Sequence, residues 1–199
     1  MGSAARDYRI IDELVVEGRK AMLEADWVLD SCLPATRAAM KVLAHFGIAA
    51  DPLAVRVRAM NRVGVDHIDR CRQLGIMAPP PPGAWKVDIG YQLVVGKWAK
   101  HVVAIARDRL IDLTLDQVTR RERDLLAQPI SESVSEGFLR GLAPLVVRLD
   151  RGGKVQYDAL PDDTSFEAQP SWGNEAVQDQ VVKVIIDRIE TAVSRRPTT

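Results

Sequence analysis

The chain has 199 residues, enough for one domain with a sizeable core, and its 47% hydrophobic and 27% charged residues are ordinary for a globular protein. Lys plus Arg and Asp plus Glu balance at 27 each, so there is no basic excess of the kind that draws nucleic acid or an anionic membrane. No apolar run approaches the roughly 18 residues of a spanning helix. The first residues lack the basic, apolar and small-residue succession of a signal peptide. Cys32 and Cys71 lie far apart in helical patterns and form no disulfide framework. These features predict a single reduced, cytoplasmic domain over residues 1–199, with no membrane or nucleic-acid partner and no cofactor. They say nothing about oligomeric state.

Residues 5–27 read as an amphipathic helix, with Ile11, Leu14, Val15, Met22 and Ala25 on one side. In Asp30-Ser31-Cys32-Leu33-Pro34 a loop ends and a second helix begins. Ser31 suits the N-cap, and Pro34 falls in the first turn, where its missing N–H costs nothing. Ala35, Ala38, Ala39, Val42, Leu43 and Phe46 continue the apolar face, and Gly47 closes the helix with His45 in the last turn. The alternation of Leu53, Val55, Val57 and Ala59 with Ala54, Arg56 and Arg58 predicts a half-buried strand to Asn61. A short helix follows over 62–75, then a loop at Ala78-Pro79-Pro80-Pro81-Pro82-Gly83. Residues 85–95 resume the strand pattern. Strands over 101–106 and 109–115 come next, joined through Arg107-Asp108. Residues 119–143 suggest short helices and loops, 144–160 a hairpin, 161–173 a polar loop, and 174–195 an amphipathic helix with Val177, Val181, Ile185, Ile189 and Ala192 on one stripe. Helices, then antiparallel strands, then a helix define an α+β fold.

One constellation in this order carries chemistry. Cys32 stands at the positive end of a helix, a location that favours thiolate and hence reactivity. With Arg107 and Asp108 as turn residues, Ala106 pairs with Arg109, Val103 lies opposite Asp112, and His101 lies opposite Thr114. Period-two alternation then puts Asp112, Thr114 and Asp116 on the face of His101, with both aspartates as its diagonal neighbours. A thiol nucleophile needs a base, and the base needs an acceptor that fixes its tautomer. Cys32, His101 and one of the two carboxylates fill those roles. The Cys32 N–H is a natural oxyanion donor, but the upstream residues Asp26, Trp27 and Asp30 supply no convincing side-chain donor.

Ser31-Cys32-Leu33, the stretch from Leu43 to Ala50 leading into a strand, His101-Val102-Val103-Ala104-Ile105 and Leu110-Ile111-Asp112-Leu113-Thr114 follow one another as in the transglutaminase-like cysteine proteins of the wider papain-like group. The chain resembles that family over residues 30–117, and more distantly the arylamine N-acetyltransferases. It has no Arg-Gly-Gly-x-Cys stretch before the cysteine. No aromatic follows His101, and Leu113 stands where proline is common. The resemblance implies a papain-like fold in which N-terminal helices, the cysteine helix among them, pack on an antiparallel sheet. It also implies a Cys32–His101–Asp112 triad, with Asp116 as the alternative orienting carboxylate. The activity implied is cysteine hydrolysis or amide acyl transfer through a thioester, on a peptide, amide or small acyl substrate. Two alternatives are a coenzyme A-dependent acyltransferase and an inert binding module on the same scaffold.

Other residues have bland readings beside sharper ones. Trp85 and Trp98 are candidates for the substrate cleft, or for core packing. His67 and Cys71, four apart on a helix, have a metal-compatible spacing but do not complete a site, so no metal is expected. Arg120-Arg121-Glu122-Arg123 reads as a solvated helix start.

Overall fold

Leu53, Val55, Val57 and Ala59 do alternate with Ala54, Arg56 and Arg58 along a strand, β1 (Ala50–Met60), and the sheet is built around it. The structure is a computed structural model that describes residues 3–26, 32–91, 99–173 and 175–195. Before β1 come α1 (Ser3–Glu24) and α2 (Cys32–His45), and after it α3 (Arg62–Leu74) and β2 (Lys86–Ile89). The chain continues through β3 (His101–Ala106), β4 (Arg109–Asp112), β5 (Ile130–Ser133), α4 (Glu136–Leu139), β6 (Leu145–Arg148), β7 (Lys154–Ala159), α5 (Pro170–Gly173) and α6 (Glu175–Arg195). This is the mixed arrangement of helices and antiparallel sheet that the sequence pattern predicts. Among the described residues, no helix is long and apolar enough to cross a membrane.

The strands run in the order β5-β4-β3-β1-β7-β6, and every pairing is antiparallel. β1 changes partner along one edge: residues 50–55 pair with β3, and residues 57–60 pair with β2. The change falls between His101, opposite Val55, and Ile89, opposite Val57, so the sheet splits beside the histidine. One face of the sheet (Ala104, Ala106, Ile111, Leu113) is covered by α1, α2 and α6 through Ile10, Leu14, Leu43, Ile185 and Ile189. The other face (Val55, Val57, Val103, Leu110, Tyr157) is covered by Leu115, Val118, Leu125 and Phe138 from the segment that follows β4. Each fully buried large aliphatic contributes about 1.5–3 kcal/mol, so two such layers hold the sheet from both sides. Gly18 lets α1 approach closely: a Cβ there would stand 3.2 Å from Leu113 Cδ1.

Several elements depart from expectation for identifiable reasons. α1 ends at Glu24, and Asp26 takes φ 53°, a left-handed conformation that does not continue a helix; Ala25 is exposed. Trp27, Ser31 and residues 92–95 of the expected strand lie outside the described residues. β4 stops at Asp112 and does not reach Leu115, because Thr114 N and Oγ1 both turn back to donate to Asp112 Oδ1, at 2.9 and 3.2 Å. A 3-10 turn over Leu115–Val118 follows. β5 lies within the stretch expected to be helix and loop, and the expected polar loop at 161–173 contains a 3-10 turn (Ser165–Ala168) and α5.

Candidate active site

Cys32 is the first residue of α2, and the face below it (Leu33, Ala35, Ala39, Val42) is buried. One polar residue interrupts that face. Thr36 is buried, and its Oγ1 donates to Val102 O at 2.9 Å. Thr36 stands one helical turn below Cys32, and Val102 is the neighbour of His101. The bond therefore ties the cysteine helix to the histidine strand at a fixed height. Cys32 packs with Leu33, Ala54, Val102 and Phe166 and is only 7% exposed, yet it opens on a cleft. The cleft encloses about 340 Å³ and is lined by Cys32, Ile89, Lys100, His101, Gln117 and Gln169, among others.

His101 heads β3 at the split in the sheet. The register Ala106–Arg109, Ile105–Leu110, Ala104–Ile111 is the one that the two-residue turn predicts. It brings Asp112 beneath the imidazole, where Asp112 Oδ2 accepts from His101 Nε2 at 2.8 Å, with both side chains fully buried. Burial favours the neutral ring, but the Asp112 charge, its hydrogen bond and, to a smaller extent, the nearby Cys32 sulfur outweigh it. Together they raise the His101 pKa to about 10. Nε2 is committed to Asp112, which leaves Nδ1 as the ring nitrogen not engaged by that carboxylate.

Asp112 is a buried carboxylate with a full set of donors. Oδ2 accepts from His101 and from Tyr157 Oη at 2.9 Å, while Oδ1 accepts from Thr114 N and Oγ1. Burial acts to raise its pKa, but the His101 charge and the His101, Thr114 and Tyr157 hydrogen bonds outweigh burial and hold it below the usual carboxylate range. Burial and the adjacent Asp112 push the Tyr157 phenol well above its ordinary value, so it remains a donor. A base that is held in orientation, made more basic and set against a thiol can take the proton of that thiol.

The other expected site residues are not part of this cluster. Asp116, the alternative carboxylate, makes no hydrogen bond with His101. The strand alternation ends at Asp112, so Asp116 sits on the 3-10 turn and accepts from Arg19 Nε at 2.8 Å. Trp85 stands away from the cleft. Its backbone N–H donates to Asn61 Oδ1, Arg123 stacks 4.4 Å from its ring centroid, and it faces a separate groove with Met60, His67 and Ile68. Trp98 lies outside the described residues. His67 Nε2 donates to Ala78 O at 3.1 Å, with Cys71 Sγ 3.7 Å from the same nitrogen; among the described residues no group of three or more metal-type ligands forms.

Four residues that shape the site escape the sequence reading: Thr36, Gln117, Tyr157 and Phe166. Thr36 carries a legible signal, as a lone polar residue on an apolar helix face one turn from Cys32. Tyr157 carries a weaker one, since the alternation Val155, Tyr157, Ala159 buries its hydroxyl and a buried hydroxyl needs a partner. No protein-family model matches this chain, and searches among curated proteins and solved structures find no match either, so the geometry alone bears on what the site does.

Proposed function

We propose that the chain is a transglutaminase-like cysteine enzyme of papain-like architecture, which performs amide hydrolysis or acyl transfer through a thioester on Cys32. The observation that carries the reading is the buried His101–Asp112 bond, with the Cys32 thiol lining the same cleft as that imidazole. In this mechanism His101, whose raised pKa keeps the ring charged at neutral pH, already holds the Cys32 proton at Nδ1, and the sulfur attacks the carbonyl carbon of an amide or ester as thiolate. The oxyanion accepts a hydrogen bond from the Cys32 N–H, which has no carbonyl partner within the first turn of α2. The imidazolium protonates the leaving amine, and water or a second amine then resolves the thioester while His101 acts again as base. Asp112 holds the ring and stabilises its charge, and Tyr157 and Thr114 hold Asp112. The roughly 340 Å³ cleft is at the small end for ligand sites, which favours one acyl group or side-chain amide as the reacting unit.

The test uses p-nitrophenyl acetate on a Cys71→Ser background, which leaves Cys32 as the remaining thiol. The account expects one acetyl group on Cys32 by intact and peptide mass, lost in Cys32→Ser and in His101→Gln. No acylation of Cys32, or equal acylation in His101→Gln, contradicts it. Acetyl transfer from acetyl-coenzyme A to an arylamine would select the acyltransferase form of the chemistry.

A further inference from the structure

We infer that Gln117 is the second donor to the reacting carbonyl oxygen, completing the oxyanion site with the Cys32 N–H; this deepens the reading above and rests on it. Gln117 lines the same cleft as Cys32 and His101. Its Nε2 is buried and has no hydrogen-bond partner, one of three such side-chain atoms among the described residues. A buried donor left unpaired is costly, so it marks a place where an incoming acceptor is favoured. The backbone around it is fixed. Gln117 N donates to Thr114 O at 3.0 Å, and Gln117 O accepts from Arg120 Nη1 at 2.9 Å. Thr114 is also the residue that donates twice to Asp112. One turn therefore sets both the carboxylate that orients the base and the amide that faces the substrate.

When the Cys32 sulfur bonds to the carbonyl carbon, the carbonyl π pair moves onto oxygen, and that oxygen accepts from Cys32 N–H and Gln117 Nε2. Collapse re-forms the carbonyl and expels the leaving group, p-nitrophenolate in the assay, leaving the thioester. Alkylation by iodoacetamide displaces iodide at a saturated carbon and creates no oxyanion. The two reagents thus separate the oxyanion donor from the nucleophile.

On the Cys71→Ser background, Gln117→Ala and the near-isosteric Gln117→Met are each expected to lower the acylation rate of Cys32 by p-nitrophenyl acetate at least about tenfold. Iodoacetamide alkylation of Cys32 should remain at the parent rate. Gln117→Met decides the matter should the alanine variant not fold. A smaller loss of acylation in Gln117→Met, or an equal fall in both reactions, overturns the role of Gln117 while leaving the thiol–imidazole reading standing. A parent protein whose Cys32 alkylates no faster than in His101→Gln overturns both.

Discussion

Asp112→Asn keeps the side-chain shape but removes the charge that faces His101. In the native protein that charge and its 2.8 Å bond are the largest of the influences, ahead of Cys32, that lift the imidazole pKa to about 10 against full burial. Without them burial is left as the largest influence, and burial lowers the pKa of an imidazole, so His101 in the variant should titrate below the ordinary 6.5. Each pKa unit corresponds to about 1.4 kcal/mol, so the variant withdraws roughly 5 kcal/mol of support for the charged ring. The assay is a pH titration by nuclear magnetic resonance with labelled histidine. The chain has 3 histidines, and the His101 signal is identified by its loss in His101→Gln. Native His101 should stay protonated through neutral pH and into the alkaline range, whereas in Asp112→Asn it should be neutral at pH 7. Native His101 titrating near 6.5, or Asp112→Asn leaving the titration in place, would refute the reasoning.

Asp116→Asn should leave the His101 titration where it is, because its carboxylate is engaged by Arg19; a shift like that of Asp112→Asn would exchange the two roles. Tyr157→Phe removes one donor to a buried carboxylate and should cost about 1.5–3 kcal/mol in urea unfolding, and an unchanged midpoint would contradict that bond. In Cys32→Ser, where no thiol can supply the proton, stability should also depend on pH through His101. Its folded pKa is raised by Asp112, so the folded state binds more protons than the unfolded chain above pH 6.5. The stabilisation is complete below 6.5 and is lost as pH rises through the folded value, with a slope approaching roughly −1.4 kcal/mol per pH unit relative to the same protein carrying His101→Gln. Parallel stability curves for the two proteins across that range would contradict it.

The parts of the site visible in the sequence are those set by local rules. A two-residue turn at Arg107-Asp108 fixes the register of β3 and β4, and with it the meeting of His101 and Asp112. The start of α2 at Cys32 follows from the helix signals around it. The choice between Asp112 and Asp116 goes beyond alternation, because it depends on Thr114 bending back onto Asp112 and ending the strand there. Tyr157 reaches Asp112 from 45 residues away, through the pairing of β7 with β1, and nothing local announces that contact. β5 is hidden for a different reason: only one residue of Ile130-Ser131-Glu132-Ser133 is apolar, and the segment is a strand because the edge of β4 offers it a ladder. Trp85 illustrates the converse error. An aromatic at a strand start suggests a substrate wall, but Asn61 and Arg123 hold it in a different groove.

The most direct test of a thiol activated by its imidazole is the second-order rate of iodoacetamide alkylation at Cys32, at neutral pH, in Cys71→Ser with and without His101→Gln. Loss of more than about tenfold on removing the imidazole is the result the arrangement predicts, since the thiolate is the reacting form and His101 is the base that produces it. Equal rates in the two proteins would mean that Cys32 and His101 are neighbours without being partners.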